Sequence, residues 1–120
     1  MTGSTGPRAV SSGDAADALI VLVTIPAADA PVFARSLIEE SRAACVNQLS
    51  GVRSTYRWNG QVEEADEALL LVKTTVAGYP ALERRVRELH PYDVPEILAL
   101  PVAAGFGPYL EWLKRSVTPA

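Results

Sequence analysis

Apolar and polar positions along the chain switch period several times. Ala18 to Ile25 (ALIVLVTI) is an unbroken, β-branched apolar run that stops at Pro26, so it predicts a buried strand. Asp29 stands where a helix cap is needed, with Pro31 in the first turn of a helix starting near Ala30. Ala30, Phe33, Leu37 and Ser41 fall on one face of that helix, and Arg35, Glu39 and Arg42 on the solvated side. Ala43 to Leu49 returns to strand character, Ser50-Gly51 predicts a bend or bulge, and Val52 to Trp58 alternates again. Asn59-Gly60 between two strand-like runs is a strong hairpin signal, because both residues tolerate the positive φ of a type I′ turn. The returning strand runs from Gln61 to about Thr75. A second helix follows, with Pro80 near its start and Leu82, Val86 and Leu89 on one face; His90-Pro91 ends it. Glu96 to Val102 is the last predicted strand. Pro108 opens a short final helix carrying Tyr109, Leu110, Leu113 and Val117.

The order β-α-β-β-α-β plus a terminal helix predicts the α+β, ferredoxin-like arrangement: one antiparallel sheet with two helices on one face and a long central hairpin. The helices leave the other sheet face bare. Yet Leu69, Leu70, Leu71 and Val72 are consecutive, so both faces of that strand need burial. A second copy of the chain is the simplest cover, and the overhanging hairpin can pair with a neighbour's edge. Met1 to Ala16, rich in Gly, Ser, Thr and Ala, shows neither period and is expected to be a disordered tail, leaving one domain over 17–120.

Composition narrows the function. At 120 residues and a net charge of -3, the chain is of single-domain length and too acidic to suggest a nucleic-acid partner. Its one cysteine, Cys45, permits no intrachain disulfide. No basic-then-apolar leader and no apolar run of membrane-span length is visible, so no membrane contact and a cytoplasmic location are expected.

The two-residue turn fixes the hairpin register: Trp58 opposite Gln61, Tyr56 opposite Glu63, Arg53 opposite Asp66. Glu63, Glu67 and Lys73 share a parity, and Tyr56 and Trp58 join them on that face. The cluster is either a binding cleft, completed by another subunit, or a solvated hairpin tip with incidental ion pairs. His90, the only histidine, sits with Pro91, Tyr92, Asp93 and Glu96 in the loop before the last strand. It is either a copper or zinc ligand or the residue that terminates the helix; a metal needs three or four donors. Cys45 reads as a buried structural thiol, with a Cys-His dyad the alternative. Glycine-rich phosphate loops, nucleophile elbows, Cys-x-x-Cys and paired-histidine helices are absent, and Gly105-Phe106-Gly107 before a helix is a weak anion-site signal. No nucleophile, base and orienting partner assemble, so an enzyme is not expected.

The segments ALIVLVTIP, Ala43-Ala44-Cys45-Val46-Asn47, Ser54-x-Tyr56-x-Trp58-x-Gly60, Glu67 through Lys73-Thr74-Thr75, HPYDVPEI (His90 to Ile97), Pro101 and Tyr109-Leu110-x-Trp112-Leu113 occur in order over Leu19 to Val117. Together they resemble the CutA family of divalent-cation tolerance proteins. That resemblance implies a ferredoxin-like subunit in a homotrimer similar to the PII signalling proteins. It also implies a role in tolerance of copper and other divalent metals, and an inter-subunit cleft mapping to Trp58, Glu63, Glu67, Lys73, His90, Tyr92 and Glu96. Of three positions that ligate copper in some bacterial members, here Val23, Leu89 and His90, only His90 carries a ligand. The first expectation is a metal-response protein with copper or another divalent cation as cofactor, contacted by His90 with Glu63, Glu67 and Glu96 as oxygen donors. The second is a PII-like module taking a small molecule, with Lys73 supplying charge and Trp58 and Tyr92 the walls. A third is a scaffold docking a protein partner.

Overall fold

The computed structural model describes residues 15–119. Strand β1 (Ala18–Pro26) is the apolar run, and a 3-10 turn (Ala27–Asp29) leads into helix α1 (Ala30–Glu39). Strands β2 (Cys45–Trp58) and β3 (Gln61–Thr75) form the hairpin, followed by helix α2 (Tyr79–Leu89), strand β4 (Leu98–Pro101) and helix α3 (Gly107–Arg115). The sheet order is β2-β3-β1-β4 with every neighbouring pair antiparallel, the expected ferredoxin-like arrangement. Residues 1–14 of the expected tail lie outside the described residues; Ala15 is already buried beside Ala18, Leu110 and Leu113.

Alternation decides the layers. Val21, Val23 and Ile25 of β1 pair with Val72, Leu70 and Ala68 of β3, and all six are buried against Phe33, Leu37, Leu82 and Val86 of α1 and α2. Each fully buried side chain of this size contributes on the order of 1.5–3 kcal/mol. The alternate positions, Ile20, Leu22, Leu69 and Leu71, face the other way and are only half-buried. Next to them Leu49, Leu98 and Leu100 are 43%, 57% and 47% exposed. That face is less bare than expected, because α3 packs on one end of it through Leu110 and Leu113 against Ala15 and Ala18.

The hairpin matches its predicted register, with Trp58 opposite Gln61, Tyr56 opposite Glu63 and Arg53 opposite Asp66. Asn59 and Gly60 have φ of 51° and 77°, as a type I′ turn requires. The predicted bulge falls between Leu49 and Val52, where Gly51 takes φ 74°. Because the extra residue lies in β2, the parity of β3 is unbroken. The hairpin projects from the helix-covered core and gives the chain a long axis of 58 Å.

Three local expectations are corrected. Asp29 holds the cap position of α1 but makes no side-chain cap bond, because the preceding 3-10 turn leaves it in helical backbone. Ser41 lies beyond α1 at φ 56°, where the chain turns, and Arg42 is half-buried rather than solvated. The last strand begins at Leu98, not Glu96: Pro95 has no N–H to give a ladder, and β4 pairs only with Leu19 to Leu22.

Candidate functional site

A cleft of about 760 Å³ opens where the hairpin leaves the sheet. One wall is β2, with Ser54, Thr55, Tyr56 and Trp58; Thr24 and Glu67 lie between; the segment from Tyr92 to Glu96 forms the opposite wall.

That opposite wall is held by His90. Pro91 disfavours helical backbone in the residue before it, so His90 is extended at φ −73°, ψ 138°, while its N–H still bonds the Val86 carbonyl at 2.8 Å. The imidazole turns inward and is 7% exposed. Nδ1 lies 3.1 Å from the Tyr92 backbone N–H and must accept from it; Nε2, 2.7 Å from the Thr24 carbonyl, must then donate. The ring meets Phe33 edge-on at 6.0 Å and Tyr92 at 4.8 Å. These contacts aim Tyr92, whose hydroxyl donates to Glu67 Oε2 at 2.9 Å. Glu67 is 4% exposed. Burial, then the bond to Glu67 and the nearby negative charge, pushes the Tyr92 phenol up to about 12.

The structure brings Trp58, Glu67, Tyr92 and Glu96 to one cleft. Glu63 is on the same sheet face, opposite Tyr56, but is not part of the cleft lining. Lys73 is six residues along β3 from Glu67, roughly 20 Å at the rise of a strand. Its ammonium lies 5.9 Å from the Tyr109 ring, under α3. Cys45 pairs with Lys73 at that far end and is half-buried, which rules out a dyad with His90 within one chain. Asp93, which the sequence places with His90 in the loop before the last strand, also lines the cleft, as do Thr24, Ser54, Thr55, Val94 and Pro95, which were not singled out as site residues. The shared parity of Ser54 with Tyr56 and Trp58 was the one available signal for any of them.

A metal held by His90 within one chain does not fit. A ligating nitrogen needs a free lone pair; the one on Nδ1 is taken by the Tyr92 N–H, and Nε2 carries the proton given to Thr24. Among the described residues no group of three His, Cys, Asp or Glu side chains is placed to hold a metal ion.

A four-stranded split βαβ sheet with a projecting hairpin, a terminal helix and a loop-walled cleft defines a small ferredoxin-like domain. The model of the family described as CutA1 divalent ion tolerance protein matches residues 19–116, and the chain belongs to that family. The divalent-cation tolerance protein CutA of Thermus thermophilus is 52% identical over 98 residues, covering 81% of this chain and 95% of that protein. The solved structure of the Thermus protein superimposes with a TM-score of 0.82 over 84% of this chain and 99% of that one, at 50% identity. CutA1 from Oryza sativa gives a TM-score of 0.84 at 41% identity, over 89% and 99% of the two chains. A protein from Nostoc described as PII-like CutA gives 0.80 at 33% identity, over 85% and 99%. Among the described residues no helix is long and apolar enough to cross a membrane.

Proposed function

We propose that this chain is a PII-like regulatory module, assembled as a homotrimer, whose cleft binds a small ligand and reports its presence to a protein partner. The observation that carries the ligand part is the buried Glu67 carboxylate, held by Tyr92 in an aromatic-walled cleft at the edge of the core, next to Ala68. Among the described residues no serine or threonine hydroxyl of the cleft is hydrogen-bonded to a base, and the reading is of a binding protein. Assembly is supported by the leucines left open on the sheet face that the helices do not cover, a patch of the kind that monomers rarely carry. A reducing, cytoplasmic setting belongs to the same reading, since the single cysteine implies no disulfide.

The test has two arms. Light scattering at micromolar concentration is expected to give the mass of three chains, and Leu98→Glu with Leu100→Glu to give one. A metabolite panel screened by thermal midpoint is expected to yield a stabilising compound, since binding to the native state raises stability by mass action, and Trp58→Ala to erase that shift.

A second reading keeps a divalent cation as the ligand, with Glu63, Glu67 and Glu96 contributed by different chains; the acidic lining of the cleft favours it. Calorimetric copper titration separates the two. Saturable binding lost in Glu67→Gln selects the cation. A dissociation constant weaker than about 100 μM, roughly −5.5 kcal/mol, selects the organic ligand.

A further inference from the structure

We infer that the cleft is built for a weakly hydrated organic cation of the alkylated-ammonium type. The inference rests on the small-ligand reading above and names the class of ligand.

Charge comes first. Glu67, Asp93 and Glu96 line the cleft, and among the described residues no lysine, arginine or histidine does. The hairpin's own arginines, Arg53 and Arg57, occupy the alternate positions of β2, and Arg53 is already bonded to Asp66 and Glu64. A ligand with net negative charge would therefore enter against three carboxylates with no compensating cation from the described residues of the same chain. Glu67 sharpens the point. It is 4% exposed, its hydrogen bond comes from a neutral phenol, and among the described residues no cation pairs with it. A carboxylate taken out of water without a counter-ion gains most from a cation that arrives without a tightly held hydration shell.

The walls select the kind of cation. Tyr56 and Trp58 stand two residues apart on one face of β2 and are 40% and 47% exposed. Neither stacks on another ring nor lies under a basic side chain among the described residues. Tyr92 supplies a third ring from the other wall. Aromatic faces attract a cation through the ring quadrupole, most effectively when that cation sheds water easily, as alkylated ammonium does. A hard dication instead needs six or more oxygen donors and keeps its water, which rings cannot replace. An uncharged apolar molecule would use the rings but would leave Glu67 without a counter-ion.

The experiment follows the indole N–H resonance of Trp58 in the full-length protein during titration with tetramethylammonium chloride. Matched titrations use tert-butanol, an uncharged molecule of similar shape, and sodium phosphate, all at constant ionic strength. The expected result is a saturable shift with tetramethylammonium and binding at least about tenfold weaker for tert-butanol. Glu67→Gln, which keeps the side-chain shape, is expected to weaken tetramethylammonium about tenfold, a change of about 1.4 kcal/mol. Tyr56→Ala, on the exposed hairpin, should weaken it without disturbing the fold. Equal binding of tert-butanol, saturation by phosphate alone, or no effect of Glu67→Gln would overturn the cation inference while leaving a ligand-binding cleft in place. Failure of all three probes would overturn both the inference and the ligand reading beneath it.

Discussion

Replacing His90 with alanine separates a histidine that fastens the loop from one that waits for a metal. The imidazole makes two hydrogen bonds, to the Thr24 carbonyl at 2.7 Å and from the Tyr92 N–H at 3.1 Å, each worth about 1 kcal/mol net. Its contacts with Phe33 and Tyr92 add about 0.5–1.5 kcal/mol. The alanine variant is therefore expected to lose about 3 kcal/mol, roughly a hundredfold in the folding equilibrium. The assay is urea unfolding at fixed chain concentration, with chelator present, so that neither mass action nor metal contributes. A slope of about 2 kcal/mol per molar urea turns the loss into a midpoint lowered by about 1.5 M. Two further variants assign the bonds. The asparagine oxygen in His90→Asn can replace Nδ1 as acceptor for Tyr92, and the glutamine amide in His90→Gln can replace Nε2 as donor to Thr24. Each is expected to recover about 1 kcal/mol. A chelator-treated His90→Ala protein within about 0.5 kcal/mol of the parent, the range of ordinary surface changes, would refute the fastening role.

Tyr92 should titrate late. With its phenol at about 12 rather than 10.0, the native state holds that proton more tightly than the unfolded chain does. The stability this provides is complete below a pH of about 10 and is lost as the pH rises towards about 12. Ultraviolet phenolate titration is expected to show one tyrosine ionising last, and Glu67→Gln should bring it down only part of the way, because burial is the larger cause. Ionisation of every tyrosine near 10 would refute the geometry. The glycines give a contrasting pair. A Cβ on Gly78 would sit 2.6 Å from Val117 Cγ1 and 3.0 Å from Thr75 Oγ1, so Gly78→Ala should cost about 1–3 kcal/mol in urea unfolding. Gly60 has open space around it but φ of 77°, so Gly60→Ala should cost only the conformational penalty of about 1–2 kcal/mol.

The hairpin was legible because its determinants are local. Asn59-Gly60 sets the turn, the turn sets the register, and the register puts Tyr56 and Trp58 on one face with Glu63 and Glu67. Parity, however, states which face a residue occupies and not where along the strand it falls. Lys73 was grouped with Glu67 for that reason and lies six residues further along β3, near its C-terminal end. His90 was hidden for a different reason. Its partner is the backbone carbonyl of Thr24, 66 residues away, and a carbonyl leaves no mark in a sequence pattern. A lone histidine in a polar loop therefore suggests a ligand and a helix stop equally well. The four-residue β4 was over-extended because Glu96 and Ile97 continue a plausible alternation, while the shortness of the pairing with β1, which stops at Leu98, shows only in three dimensions.

One face of β3 changes character between Leu69 and Glu67. On the Leu69 side it is apolar and left open beside Leu49 and Leu98; on the Glu67 side it becomes the cleft. Thr24 lines the cleft and pairs directly with Leu69, so the two regions share a ladder rung. Assembly and ligand binding are therefore expected to be coupled, but unequally. Trp58→Ala removes a cleft wall next to the hairpin turn, away from the leucine face, and should leave the mass in solution unchanged. Leu69→Glu places a charge on the open face next to the Thr24 rung, and should both dissociate the assembly and weaken whatever binds the cleft. Light scattering paired with the ligand titration reads both quantities on one sample. A Leu69→Glu chain that dissociates yet binds with undiminished affinity would show that each chain holds a complete site and that the shared face carries no coupling.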